Sequence, residues 1–438
     1  MSTIELIKSH MILDSRGNPT IETVIKPKGV DRTVRASVPS GASTGKDEAL
    51  ELRDKDPNRW NGKGVEKALA NIRNEIFPEI SSINIFDQLK LDQKLIDLDG
   101  TENKSRLGAN AILSVSLAVA KAAAEAKNLP LFKYIAELYG EPNPHILPIP
   151  QMNFINGGAH APNTLDFQEF MIMPIGAPTF SEALRIGSEI FKKLLGIVPA
   201  TGVGDEGGFS PFFEDGKDGK AAIFESLNML LRGVEEAGYV PGKDIALALD
   251  PAASAFYADS LYQIGQVFFT TNEMIDFLEE LVDKFPIISI EDPIAEDDIT
   301  GWKELTDRLG SKVQIVGDDL FVTNVAKLER GYELGLANAI LIKPNQIGTL
   351  TETLEAIKLA RKIGYRTVIS HRSGDTEDTF IADLAVGCNS GQIKTGCLSR
   401  TERVAKYNRL LRIEEDLGKS GKYSASYLFN EAQLSSIR

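Results

Sequence analysis

The chain has 438 residues, enough for more than one domain or for one large α/β unit. Its 48 basic and 62 acidic residues leave a net charge of −14, which disfavours nucleic acid as the main ligand, because a phosphate backbone needs a basic face, and suits cation binding. An apolar content of 42% is ample for a full-sized core, and the interspersed charges exclude the disordered class.

The first residues, MSTIELIKSHMILDSRGNP, hold no long apolar run, so no signal peptide is expected. Ile21 to Lys26 and Thr33 to Val38 read as strands flanking the turn KPKGVD, and SGASTGK (40–46) follows as a Gly/Ser-rich loop. Helical spacing predicts helices that include Val65 to Ile76 and Ala109 to Lys127. The most apolar stretch, LGANAILSVSLAVA (107–120), is shorter than the ~20 residues a membrane span needs and is closed by Lys121, so it reads as a buried helix. The proline-dense GEPNPHILPIP (140–150) marks a boundary between an α+β domain at residues 1–140 and a second domain at 141–438.

Beyond it, short apolar runs alternate with amphipathic segments. The runs are 147–154, 166–174, 244–250, 286–292, 312–319, 339–343, 366–370 and 392–396. Capping-box pairs are expected at Thr270/Glu273, Thr349/Glu352 and Ser399/Glu402, where a hydroxyl and a Glu three residues on would satisfy free N–H groups. Strand–helix alternation favours a parallel sheet, and eight strands favour a (β/α)8-type barrel. Pro148 and Pro150 sit awkwardly in a strand. The stretch from Phe180 to Gly242 holds more than one helix, so the early part of the barrel is irregular.

Successive runs end on chemistry: Asp250, Glu291, Asp318 and Lys343, then His371 with Arg372, then Lys394. In a barrel these ends meet at one face, where barrel enzymes keep their active sites. Three converging carboxylates must take up protons or hold a cation, and all-oxygen ligands favour a hard ion such as Mg2+. A lysine beside that ion has its ammonium disfavoured and becomes a candidate general base. Metal and lysine together suit proton abstraction next to a carboxylate. Any one such residue is usually a turn residue or half of an exposed ion pair; consecutive strand ends carrying ionisable groups in this order are hard to reach that way.

Other stretches are weaker alone. GDEGGF (204–209) reads as a tight turn, but beside a barrel site it makes Glu206 a candidate acid on a loop. SGASTG is more often a flexible loop than a phosphate cradle, and His160 in NGGAHAPN could be a capping histidine. HRSG (371–374) offers a cation and a hydroxyl suited to phosphate. Cys388 and Cys397 read as core thiols of a reducing cytoplasm, although their closeness leaves a disulfide open.

Over essentially its whole length the chain resembles the enolase (phosphopyruvate hydratase) family. DSRGNPT (14–20), VPSGASTG (38–45), NKSRLGANAILSVS (103–116), NGGAHA (156–161), QEFMIMP (168–174), GDEGGF, SIEDP (289–293), GDDLFVTN (317–324), LIKPNQIGTL (341–350), SHRSG (370–374) and IKTG (393–396) carry the resemblance, long and in order. It implies reversible dehydration of 2-phospho-D-glycerate to phosphoenolpyruvate. Lys343 would take the C2 proton, and Glu206, with Glu169 behind it, would assist loss of the C3 hydroxyl. His371 would line the pocket among the catalytic groups. Asp250, Glu291 and Asp318 would hold one Mg2+, and Ser43 a second that arrives with substrate. His160, Gln168 and Lys394 would contact substrate, and Arg372 and Ser373 its phosphate. It also implies a barrel with an antiparallel early strand, a homodimer or octamer, and a cytoplasmic location with cell-surface display left open. Pro162, Pro251, Ala255 and LYQIGQVFF (261–269) depart from the family pattern without replacing a catalytic residue. A sugar-acid dehydratase or racemase of the same superfamily, and a non-enzymatic binding role, are the competing readings.

Overall fold

The computed structural model describes residues 2–41, 45–213 and 219–437. The chain opens with an antiparallel meander, β1 (Ile4–Leu13), β2 (Pro19–Pro27) and β3 (Val34–Ser37). Asp14 closes the β1–β2 turn by accepting the N–H groups of Arg16 and Asn18. β2 and β3 fall where expected, whereas β1 was not anticipated. The helix Ala109–Ala126 covers the meander, with Ser114 Oγ 2.7 Å from Thr23 Oγ1. It is long and apolar enough to cross a membrane, but most of it is buried inside the protein as a core helix. The predicted helix at 65–76 appears as Glu66–Asn71 running on through a π turn, Ile72–Ile76.

The larger part of the chain is the predicted barrel. It begins with β4 (Ile149–Asn156) and β5 (Glu169–Met173), which are antiparallel neighbours. The irregular stretch follows: the helix Phe180–Leu194, the hairpin β6 (Ala200–Val203) and β7 (Phe209–Pro211), and the helix Gly219–Glu236. Next come β8 (Ala246–Asp250), antiparallel to β5, and a small separate sheet of β9 (Tyr257–Ala258), β10 (Leu261–Ile264) and β11 (Val267–Phe269). Five further strands, β12 (Ile287–Glu291), β13 (Gln314–Gly317), β14 (Ala339–Ile342), β15 (Arg366–Ser370) and β16 (Gln392–Lys394), run parallel to β8. β16 pairs with β4 and closes the ring. The described residues thus contain all eight expected strands, with β5 alone reversed in the ring.

Pro150 is tolerated because Ile149 donates to Gly391 on one side, while Pro150 faces the other side ahead of the first β5 partner at Met152. Two of the expected capping pairs form at helix starts. Thr270 and Glu273 make a full box, and the Thr349 side chain accepts from the Glu352 N–H. The third does not form. The helix Thr401–Leu417 has Arg400, at φ +66°, at its cap position. Ser399 lies one residue too early and donates to the Gly207 carbonyl instead, at 2.6 Å.

Residues two apart on a strand share a face, and this parity places the site. Val316, Ala339, Leu341 and Val368 form their own apolar cluster within the ring. Below them a buried network joins Gln151, Gln314 and Gln392, with Gln314 also donating to Ser289. Stepping up by two from Val316 reaches Asp318, from Leu341 Lys343, from Ser289 Glu291 and from Gln392 Lys394. The ionisable residues are the topmost inward layer of a filled interior.

Candidate active site

Every predicted site residue lines one small polar cavity at this end of the barrel, apart from Glu291 and Ser43. Glu291 touches Lys394 in the cavity wall, and Ser43 lies outside the described residues. β5 supplies its first residues rather than its last, because it runs the other way, so Glu169 stands in register with Asp250. His160 comes from a short 3-10 turn after β4, and Glu206 from the loop joining β6 to β7.

Lys394 is the buried hub. Its ammonium lies 2.8 Å from both oxygens of Glu291 and 3.0 Å from oxygens of Asp250 and Glu169. Burial opposes its charge, but Asp250, Glu169 and Glu291 outweigh burial and hold it well above the usual lysine range. Gln168 Nε2 also reaches Asp250, at 3.4 Å. Lys343 pairs with Asp318. Burial again disfavours the charge, and again the neighbouring carboxylate wins, so the Lys343 ammonium is favoured rather than disfavoured. The expected loss of charge was for a lysine beside a bound cation; with Asp318 as its partner, the ammonium form is the favoured one.

The ligand atoms of His160, Glu169 and Glu206 lie within 4.8 Å of one another. Burial and the Glu206 carboxylate push Glu169 well above the carboxylate range. Burial also opposes charge on Glu206, yet the donors around it, His371 foremost, hold it well below. The two adjacent carboxyls are thus pushed in opposite directions, Glu169 toward the protonated form and Glu206 toward the ionised one. Asn153 Nδ2 donates to Glu206 at 2.9 Å, and His371 Nε2 lies 3.2 Å from its other oxygen.

Arg372 is buried and engaged by Glu48, at 2.9 and 3.1 Å, from the segment after the Gly/Ser-rich loop. Glu48 also accepts from Gln346, which donates to Asp318 at 2.8 Å. Neither Glu48 nor Gln346 was picked out in the sequence. Gln346 was within sight, three residues past Lys343 in a single-turn helix, Pro344–Ile347. Pro251, one of the departures, is followed by Ala252 at φ +50°, whose N–H caps Asp250 at 2.9 Å.

The donor set fits a hard divalent cation. Asp250, Glu291 and Asp318 offer only oxygens. Burial and Asp250 push Glu291 well above the carboxylate range even with Lys394 against it, so its charged form is short of a cation partner. A second acidic knot, Asp292, Asp318 and Asp319, is structural in part, because Asp292 accepts the N–H groups of the other two.

A closed barrel with one reversed strand, carboxylates and two lysines at its rim, and a smaller α+β unit reaching over it define a (β/α)8-type barrel protein with a carboxylate-rich site. Residues 4–135 match the family model for the enolase N-terminal domain, and residues 144–432 the model for the enolase C-terminal TIM barrel domain. The chain belongs to the enolase family.

Proposed function

We propose that this chain is a phosphopyruvate hydratase, interconverting 2-phospho-D-glycerate and phosphoenolpyruvate as a step of glycolysis and gluconeogenesis. The carrying observation is that a strand-tip lysine, Lys343, shares one cavity with the carboxyl pair Glu169 and Glu206 and with Arg372 and Ser373. In this reading the C2–H bond breaks toward Lys343 Nζ, and the C3–O bond breaks with the hydroxyl leaving as water. The proton for that water comes from the Glu169–Glu206 pair. Lys343 must be neutral to act, so the base form requires Asp318 to release it. Arg372 and Ser373 bind the phosphate, and His160, Gln168 and Lys394 hold the rest of the substrate. Asp250, Glu291 and Asp318 would hold one Mg2+ and Ser43 a second, and the bound ions would supply positive charge beside the substrate carboxylate as C2 loses its proton.

The reading takes residues 1–140 as a covering domain and 141–438 as the catalytic barrel. It places the enzyme in the cytoplasm, where two free, buried cysteines accord with a reducing compartment, and takes it as a homo-oligomer. Adding 2-phosphoglycerate and Mg2+ should give a rise in ultraviolet absorbance from the enol product, abolished by a chelator. No rise, or preferred turnover of an unphosphorylated sugar acid, overturns it.

A further inference from the structure

Arg403 is fully buried on the first turn of the helix Thr401–Leu417, and the reaction as described makes no use of it. Its guanidinium binds three separate segments. One nitrogen, Nη1, reaches His371 Nδ1 at 2.7 Å and the Arg372 carbonyl at 2.5 Å. The other, Nη2, reaches the Ser373 carbonyl at 2.6 Å, the Asp205 carbonyl at 3.1 Å and Ser15 Oγ at 3.4 Å. Its neighbours Arg400 and Ser399 bond the Gly204 and Gly207 carbonyls. The segment that failed to form a capping box is therefore a clasp on the loop that carries Glu206.

A guanidinium has only donors. The His371 Nδ1 atom facing it must present a lone pair, so the ring proton of neutral His371 sits on Nε2, 3.2 Å from Glu206. We infer that Arg403 is a positioning residue: it fixes His371 as the Nε2–H tautomer, so that an N–H rather than a lone pair faces one oxygen of Glu206, while Asn153 donates to the other. Nε2 makes no aligned hydrogen bond among the described residues, so its N–H is left to face Glu206 at 3.2 Å, and it is not a proton source, since giving up Nε2–H would leave an imidazolate. Asp375, 3.8 Å from Arg403, is taken up by Lys406 at 2.8 Å and by the Arg372 N–H at 3.2 Å, and does not compete for Nδ1.

This rests on the proposed roles of Glu206 and Lys343, and its test separates the two. The chain has 4 histidines, so histidine-selective 15N labelling gives a readable spectrum, with the His371 signals identified by their loss in His371→Gln. At neutral pH, His371 should show an unprotonated Nδ1 and a protonated Nε2. Arg403→Gln, whose side chain can also accept, should mix the tautomers and slow dehydration by about 100-fold, the cost of a misplaced group. Solvent exchange at C2, which belongs to Lys343, should stay near the parent value. Arg403→Lys, which keeps a donor cation, should retain the tautomer and recover part of the rate. A protonated Nδ1 in the parent protein overturns the inference whether or not Arg403→Gln folds. Equal losses of exchange and dehydration in a folded Arg403→Gln also overturn it. A parent protein that neither exchanges nor dehydrates sinks the functional reading, while the spectrum still decides the tautomer.

Discussion

Glu169 stands opposite Asp250 in the antiparallel register of β5 and β8, and the Lys394 ammonium lies 3.0 Å from an oxygen of each. With Glu291 it forms a buried knot of three acids on one cation. Removing the cation strands the acids. Lys394→Met should therefore cost about 3–5 kcal/mol of stability, the usual loss when one partner of a buried ion pair is deleted. Mg2+ should restore more stability to this variant than to the parent, because it replaces part of the missing charge. Thermal unfolding with and without Mg2+ measures both, and an equal shift in the two proteins would count against the acids as its ligands.

The parent itself should be stabilised by Mg2+. An ion present at a hundredfold excess over its dissociation constant adds about 2.7 kcal/mol when it binds only the folded chain. Asp250→Asn and Glu291→Gln should flatten the dependence of the melting temperature on Mg2+ concentration. An unchanged slope in both would remove these residues from the site.

Much of the barrel was legible because its strands are buried along their length, so each reads as a short apolar run with an ionisable residue at its tip. β1 was not legible: only Ile4, Ile7 and Ser9 of its ten residues are buried, and the exposed Leu6 and Leu13 and the buried polar Ser9 spoil the apolar alternation. Strand ends reveal which groups meet at the rim but not which pair forms. Nothing in the order of residues says that Lys394 binds three acids, or that Glu48, from the other domain, engages Arg372. Arg403 was hidden because a buried arginine in a helical pattern looks like an exposed one until the opposing carbonyls are in place. Ser399/Glu402 misled because the pattern was right and the helix began one residue later, with Arg400 at its cap position.

Lys343→Ala should abolish exchange of the C2 proton with solvent while the fold persists. A positioned general base is worth about 10²–10⁴-fold, so the loss should be at least that large. The residue sits at the mouth of the interior, and its backbone N–H bond to Thr323 Oγ1, at 2.9 Å, survives the change. Isotope exchange read by NMR, with circular dichroism as the folding control, decides it. Retained exchange would assign the base elsewhere.

In the proposed reading, Glu48 competes with the substrate phosphate for Arg372. The pair is buried, with the two side chains 3% and 8% exposed, so an incoming phosphate must displace a well-formed ion pair. Glu48→Gln keeps the shape and weakens the competitor. A hydrogen bond to a charged group is worth roughly 1.5–3 kcal/mol, so inorganic phosphate should bind about tenfold tighter or better. Calorimetric titration with phosphate measures this. Weaker binding would mean that Glu48 helps to hold the ligand site rather than blocking it.

Thr270 and Ser399 both precede a Glu by three residues, yet they do different work, and paired substitutions separate them. Thr270 makes both halves of a capping box on the helix Thr271–Lys284, away from the cavity. Thr270→Ala should cost about 1 kcal/mol of stability and leave turnover unchanged. Ser399 satisfies no helix N–H. It holds the Gly207 carbonyl beside Glu206, where a Cβ on Gly207 would meet Ser399 Oγ at 2.6 Å, so the two backbones are closely packed. Ser399→Ala should lower the dehydration rate with a smaller change in melting temperature than Thr270→Ala, because it frees the loop and not a helix end. Chemical denaturation and initial-rate assays on the two variants test the contrast. If Ser399→Ala loses stability and keeps its rate, the clasp on the Glu206 loop has no part in catalysis.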